Sequence, residues 1–398
     1  MTEAKTPLLV VSNLVKSFST DESFLSRLAG GSKRIPALNG ISLEIGEGEV
    51  LGLTGESGSG KSTLGRIIAG LEPPDSGSIN FMGKPLNSAS EVEVKKARRY
   101  LRYIAEENFS GLTNEPKNRL DNLLYAMVDR YPNPDGKAGG RAFALELLKR
   151  VGLSEDILER FPTQISGGQR QRYAIARALA TRPKLVIADE PVSNLDLTSR
   201  TQVLNLMRRL GRDNGTSFLF ISHDPSMVRY FADQGRTAVM FAGRIVEVLP
   251  TSRLFDQPTH PYTRTLLEVS SAPGPLPGAA LSPAQDRAEA QKRLVEAETA
   301  TVLGTLEGEA SDLSLGGNIT AAAQLVAANR PGCPYYRWCP ERIDLCQTER
   351  PKLETVVRRR DPNNGEYVAL PEADIDPQHK AACIHYNREQ GARSKEQE

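Results

Sequence analysis

Gly55-Glu-Ser-Gly-Ser-Gly-Lys-Ser-Thr63 is the stretch whose reading decides the fold. It fits the spacing G-x-x-x-x-G-K-[ST], follows the apolar run Val50-Leu-Gly-Leu-Thr54, which reads as a buried strand, and runs into the helical Leu64-Gly-Arg-Ile-Ile-Ala69. Gly55, Gly58 and Gly60 let the backbone take positive φ, so that N–H groups across Glu56, Ser57, Ser59 and the helix start at Ser62 and Thr63 face the β- and γ-phosphates of a nucleotide. Lys61 adds a point charge and Ser62 a hydroxyl for Mg²⁺.

Working outward, the chain has 398 residues, enough for two domains or for one large α/β domain with an appendage, and 39% hydrophobic content supports a real core. Fifty basic against forty-nine acidic residues leave a net charge of +1, so no global field recommends nucleic acid or an anionic membrane as partner. No apolar run approaches the roughly eighteen residues of a membrane span, and the N-terminus lacks the pattern of an export signal. A cytoplasmic protein attached to a membrane only through other subunits is expected. All four cysteines lie between Cys333 and Cys383, which in a reducing compartment favours a metal site over disulfides.

Before the phosphate loop, Leu8 to Phe18 and Ala37 to Ile45 read as strands of a β-rich lobe. Phe18, at a strand end, suits either core packing or stacking on an adenine face. Residues 89 to 160 read mainly as helices, with Glu91 to Arg102 basic and periodic, Leu120 to Arg130 amphipathic and Gly140 to Val151 apolar on one face. Then Ser166-Gly-Gly-Gln169 opens a long helix whose first turn offers free N–H groups to an anion, although Ser166 as N-cap serves the helix equally well. Lys184-Leu-Val-Ile-Ala-Asp-Glu190 is an apolar strand ending in two carboxylates. Asp189 there suits Mg²⁺, directly or through water, and Glu190 suits a general base or water-polarising residue. Ser217-Phe-Leu-Phe-Ile-Ser-His223 brings a third strand end to the same sheet edge, where His223 reaches a γ-phosphate or its water. Thr237 to Val248 reads as a hairpin about an Ala-Gly turn.

The ordered set of Phe18, the loop at 55–63, Ser166-Gly-Gly-Gln169, Val186-Ile-Ala-Asp-Glu190, Ser193-Asn-Leu-Asp196 and His223 resembles the nucleotide-binding subunit of an ATP-binding-cassette transporter. The resemblance implies a P-loop NTPase of α/β class, with a RecA-like core, an antiparallel β lobe, a helical subdomain at about 89–160 and a small Cys-rich C-terminal extension. It divides the chain into an ATPase domain at 1–250, a family-type extension and linker at 251–332 and a tail at 333–398. It makes Ser166, Gly167, Gly168 and Gln169 the signature that contacts ATP on a partner cassette, and places Asp196 in the loop communicating across that dimer. The stretches Phe24 to Leu43, Ile221 to Tyr230 and Gln257 to Leu266, the last with His260-Pro-Tyr-Thr-Arg264, are similar to ATPase subunits of oligopeptide and dipeptide importers, in particular the second, F-type subunit. That likeness implies a second ATPase in a heterodimer, two integral permeases, an extracytoplasmic substrate-binding protein and a place on the cytoplasmic face of the membrane. Import of nickel or oligosaccharide by the same machinery, a soluble cassette ATPase and a scaffold component of an enzyme complex are the rival readings.

Where the family usually carries a glutamine, this chain has Glu106 in Ala105-Glu-Glu-Asn-Phe109, an oxygen ligand for Mg²⁺ that adds negative charge beside the γ-phosphate and is expected to slow hydrolysis at this subunit's own site. The cysteines Cys333, Cys339, Cys346 and Cys383, with Trp338 interleaved, suit zinc or an iron–sulfur cube equally by count, or are four separate cysteines. The resemblance favours a [4Fe–4S] cluster over zinc.

Overall fold

The computed structural model describes residues 7–19, 34–87, 94, 97–105, 117–130, 140–193, 195–271, 332–336, 339–356, 358–360, 367–370, 375–383 and 386. The insertion at 20–33, Glu106, Asn194, the helix expected between 284 and 303, Trp338 and His385 lie outside the described residues.

Two sheets carry the site. The first is antiparallel, in the order β2-β1-β4-β5, from β1 (Pro7–Ser19), β2 (Arg34–Gly46), β4 (Ser76–Phe81) and β5 (Lys84–Pro85). The second also contains β3 (Val50–Thr54), β6 (Leu101–Ile104), β7 (Leu185–Asp189), β8 (Ser217–Ile221), β9 (Arg236–Phe241), β10 (Arg244–Pro250), β11 (Glu354–Thr355) and β14 (Lys380–Ala381), in the order β11-β14-β10-β9-β3-β8-β7-β6. Its strands from β9 through β6 are parallel, β10, β14 and β11 continue it antiparallel, and a separate antiparallel ribbon pairs β12 (Arg358–Arg360) with β13 (Tyr367–Ala369). The parallel strands are largely apolar because helices cover both faces, and β7 and β8 are buried at every position.

Helices α1 (Lys61–Ala69), α2 (Leu120–Arg130), α3 (Gly140–Arg150), α4 (Gly167–Ala180), α5 (Leu197–Asn214), α6 (Pro225–Phe231) and α7 (Pro261–Ser271) surround that sheet. One core cluster joins α2, α3 and α4 through Leu124, Leu147 and Tyr173 to β7 and β8; a second joins α1 and the antiparallel lobe to β3. The Tyr173 hydroxyl donates to the Leu120 carbonyl at 2.6 Å, tying α4 to the start of α2. Gly52 in the middle of β3 has a packing reason: a Cβ there would stand 2.2 Å from Cγ1 of Val228 on α6.

The sequence periodicity fails at one place. The stretch from Glu91 to Arg102 is not a single helix, because Leu101-Arg-Tyr-Ile104 forms β6 and pairs parallel with β7, Tyr103 opposite Ile187. A short apolar run has no distinguishing period, and a free place beside β7 decides it. The Ala-Gly turn between β9 and β10 takes positive φ at both residues, 47° at Ala242 and 74° at Gly243, as a two-residue hairpin requires.

Candidate functional site

The parallel strands end together, and their C-terminal edge carries the chemistry, as expected of an open α/β sheet. Beyond β3 the loop turns through Gly55, Gly58 and Gly60 with φ of 146°, 81° and 102°, then enters α1 at Lys61. These are values that a side chain would strain. A Cβ on Gly55 would in addition lie 2.1 Å from the Met240 carbonyl oxygen, so the loop rests directly on β9. Lys61 is only 7% exposed, and its Nζ donates to the carbonyls of Gly55 and Glu56, each at 2.7 Å, and to Ser59 Oγ at 3.3 Å. The ammonium is thereby fixed at the centre of the loop. Ser57 and Gly58 at the loop tip are exposed.

Asp189 ends β7 with 3% exposure, and both of its oxygens are engaged: Ser62 Oγ donates to Oδ1 at 3.1 Å and Tyr103 Oη to Oδ2 at 2.7 Å. Burial pushes this carboxyl above the ordinary carboxylate range against the pull of those two hydroxyls, and the adjacent Glu190 adds to the rise. A hydroxyl and a carboxylate converging on one spot beside a phosphate loop are hard oxygen donors that fit Mg²⁺, an ion that needs few protein ligands when phosphates supply the rest. Glu106, the third expected ligand, lies outside the described residues.

Glu190 follows in the left-handed region at φ 48°, and its amide donates to the Ile221 carbonyl of β8 at 3.1 Å. This strained position turns the carboxylate across to the end of β8. There Oε1 accepts from both the backbone N–H and Nδ1 of His223, each at 2.6 Å, and Oε2 from Ser222 Oγ at 3.3 Å. Burial alone would raise Glu190, but the His223 hydrogen bonds and charge outweigh it and leave it lowered. The same hydrogen bond, opposed by desolvation, raises His223.

Ser166 caps α4 in a reciprocal box, with its Oγ accepting from the Gln169 N–H at 3.2 Å and its own N–H donating to Gln169 Oε1 at 2.9 Å. Ser166 and Gly167 are exposed, and no hydrogen bond of Ser166 or Gln169 reaches the phosphate loop. The same helix reaches the carboxylate pair through Gln171, whose buried Nε2 donates to the Pro191 carbonyl. Asp196 caps α5 through Ser199 N–H at 2.9 Å. Phe18 is 39% exposed at the end of β1, with Lys16 Nζ 5.4 Å from its ring centroid. The structure thus gathers residues 55–63, Asp189, Glu190 and His223, and ties neither Ser166 nor Gln169 to them by a hydrogen bond.

Two site residues escape the sequence reading. Tyr103 sits in an apolar four-residue strand, where an aromatic reads as core. Tyr262, on α7, is 2% exposed and its hydroxyl accepts the Glu56 N–H at 3.0 Å; only its place in His260-Pro-Tyr-Thr-Arg264 marks it out.

The expectation of a [4Fe–4S] cluster, or zinc in its place, is overturned. Among the described residues no group of three or more His, Cys, Asp or Glu side chains is placed to hold a metal. No disulfide joins the four cysteines: Cys333 and Cys339 pack with Tyr262 and Tyr335 in one apolar cluster, Cys383 packs with Val356, Ala381 and Tyr386 in another, and the Cys346 carbonyl accepts the Cys333 N–H at 2.8 Å. Burial pushes the Cys333 thiol up to about 11 and the Cys339 thiol up to about 12.

Residues 38–193 match the ABC transporter family, and residues 246–295 match the oligopeptide/dipeptide transporter C-terminal region. The chain is 34% identical over 351 residues to the putative oligopeptide transport ATP-binding protein YkfD of Bacillus subtilis, a match that covers 88% of this chain and 92% of the relative. It is 39% identical over 276 residues to the oligopeptide transport ATP-binding protein OppF of Streptococcus mutans, covering 69% and 85%. Among solved structures it is similar to a dimeric post-hydrolysis state of the ATP-binding cassette MJ0796 bound to ADP and Pi, with 28% identity, a TM-score of 0.52 and coverage of 61% of this chain and 98% of that one.

Proposed function

This chain belongs to the ABC transporter family, and we propose that it is the ATP-binding and hydrolysing subunit that energises an importer of oligopeptides or dipeptides. The observation that carries the cargo class is the peptide-transporter region at 246–295 joined to the cassette, in line with relatives named for oligopeptide transport. Nickel or oligosaccharide import, a soluble cassette ATPase and a scaffold role have no such feature behind them. The division into a cassette at 1–250, an extension at 251–332 and a tail at 333–398 belongs to the same proposal.

In this reading the N–H groups of residues 55–63 and the Lys61 ammonium hold the β- and γ-phosphates, and Ser62 with Asp189 holds Mg²⁺, which supplies charge neutralisation on the phosphate oxygens. Glu190, kept ionised by His223, orients the attacking water and takes its proton as the water oxygen bonds to the γ-phosphorus and the bond to the ADP oxygen breaks. His223 holds Glu190 in place through Nδ1 and its N–H, and would donate to the γ-phosphate or its water. Phe18 stacks on the adenine. The exposed first turn of α4, from Ser166 to Gln169, closes over a nucleotide held by the partner cassette, and Gln171 links that helix to the carboxylate pair of its own chain.

The proposed partners are a second, similar cassette in a heterodimer, two permease subunits and a substrate-binding protein. The proposed place is the cytoplasmic face of the membrane, attached through the permeases; among the described residues no helix is long and apolar enough to cross a membrane. Affinity isolation of the tagged chain from its host membrane, followed by peptide uptake in vesicles rebuilt from the isolated complex, tests the proposal. ATP-dependent uptake lost in Glu190→Gln is the expected result; isolation without integral membrane subunits, or uptake of metal or sugar in place of peptide, would sink it.

A further inference from the structure

We propose that Tyr262 is a positioning residue of the phosphate loop, and that the C-terminal segment, through the buried Glu247–His379 pair, holds it in place. The inference rests on the nucleotide-site reading above. Its starting point is one peptide unit. The Gly55 carbonyl accepts from Lys61 Nζ at 2.7 Å, and the Glu56 N–H donates to Tyr262 Oη at 3.0 Å. Because these groups belong to the same planar amide, the tyrosine fixes from outside the loop the orientation of the carbonyl that holds the lysine inside it. The tyrosine hydroxyl meets no other described group. A phenylalanine would fill the same space, so packing does not explain the oxygen.

The ring reaches this position because it is clamped. It lies 4.5 Å from the Phe241 ring of β9 and 5.4 Å from that of Tyr335, and its own N–H donates to His260 Nδ1 at 3.1 Å. The turn before it is anchored on Glu247 of β10, whose carboxylate accepts the N–H groups of Thr259 at 2.8 Å and His260 at 3.0 Å. Glu247 has 0% exposure, and an isolated carboxylate could not remain there. His379 supplies the partner, with Nε2 at 2.7 Å from Oε1, and its chain continues into β14, which pairs with β10 at Glu247 and Val248. The contacts therefore run unbroken from β14, through the buried Glu247–His379 hydrogen bond and one tyrosine, to the amide that orients Lys61.

The test uses the full-length chain and three variants, Tyr262→Phe, Tyr335→Phe and His379→Gln. Two quantities are read: the dissociation constant of a fluorescent ATP analogue with Mg²⁺, and hydrogen exchange of the loop peptide containing Glu56 without nucleotide. Losing a buried acceptor in Tyr262→Phe is expected to weaken nucleotide binding about fivefold and to speed exchange at the loop. Tyr335→Phe also removes a tyrosine hydroxyl, but one that donates to Thr265 Oγ1 at 3.1 Å, and is expected to match the parent in both. His379→Gln should shift both quantities in the direction of Tyr262→Phe. Parental affinity and exchange in Tyr262→Phe, or equal changes in Tyr335→Phe, would overturn the assignment. An unaltered His379→Gln beside an altered Tyr262→Phe would overturn the part given to the C-terminal segment. The exchange readout decides even if the parent fails to bind the analogue, an outcome that counts against the nucleotide-site reading instead.

Discussion

Tyr103→Phe removes one oxygen atom and leaves the ring, which packs against α1 where Cε2 lies 3.3 Å from the Cβ position of Gly65. The lost interaction is the 2.7 Å donation to Asp189 Oδ2, one of the two hydrogen bonds that satisfy a carboxylate with 3% exposure. A hydrogen bond to a buried charge is worth about 1.5–3 kcal/mol, or about 3–12 °C in melting temperature for a domain of this size. The chemical consequence matters more. Burial already raises the Asp189 carboxyl, and the Tyr103 hydroxyl is the first of the groups that pull it back, so the variant carries this acid still higher. Mg²⁺ needs the ionised form, and loss of an orienting outer partner typically costs about 10–100-fold in metal affinity. The assay is phosphate release by the assembled transporter at saturating ATP, titrated with free Mg²⁺ at neutral and at mildly acidic pH. The expected result is a midpoint displaced to higher Mg²⁺, more so in acid. A lower turnover with an unmoved midpoint at both pH values would confine Tyr103 to packing and refute the reasoning.

Three other outcomes follow from the same geometry and a fourth from the sequence alone. Glu190→Gln keeps an oxygen for the His223 N–H but loses the base, so ATP turnover should fall by about a hundredfold or more while nucleotide binding persists; retention of turnover within about threefold would remove Glu190 from the base role. Because Glu190 is lowered from 4.5, its share of the Glu190–His223 contact is present above that value and lost as pH falls through its folded value; because His223 is raised from 6.5, its share is full below 6.5 and lost as pH rises through its folded value. His223→Ala should therefore depress the melting temperature most between those values and least in alkali, and a pH-independent difference would contradict the pairing. Gly52→Ala drives a Cβ to within 2.2 Å of Val228 and should cost about 1–3 kcal/mol in a denaturant melt, part of which Val228→Ala in the same chain restores. Glu106→Gln should raise ATP turnover of the assembled complex by removing a negative charge, and a turnover equal to or below the parent's would sink that expectation.

Residues near one another in sequence were the ones most readily legible. The phosphate loop, the strand before it and the carboxylates closing β7 each announce themselves within a few positions, because turn chemistry and an apolar run are local signals. Tyr103 and Tyr262 act at a distance, 86 positions from Asp189 and 206 from Glu56, and nothing in a window around either residue encodes the partner. The cysteines show the opposite error. Their clustering in sequence suggests one site, but Cys383 follows the strand that pairs with β10 and packs in a cluster separate from that of Cys333 and Cys339. Spacing along a chain bounds a ligand set only where the intervening residues return to the same place.

The site is built against its own stability, and that conflict locates it better than any motif. A buried carboxyl raised by desolvation, a buried ammonium held by backbone carbonyls and a hydroxyl, and a non-glycine residue at φ 48° stand within one sheet edge. Asp189 has a folded value above its unfolded one, so the stability linked to it is present in acid and lost as pH rises; at neutral pH its charge opposes folding. Asp189→Asn keeps an acceptor for Tyr103 and removes that charge, so it should melt higher than the parent at neutral pH, with the advantage shrinking as pH falls, while ATP turnover is lost. Calorimetry across that pH range checks it. A variant that melts lower at neutral pH would show that the carboxylate stabilises the fold, and would remove the argument that function holds it there.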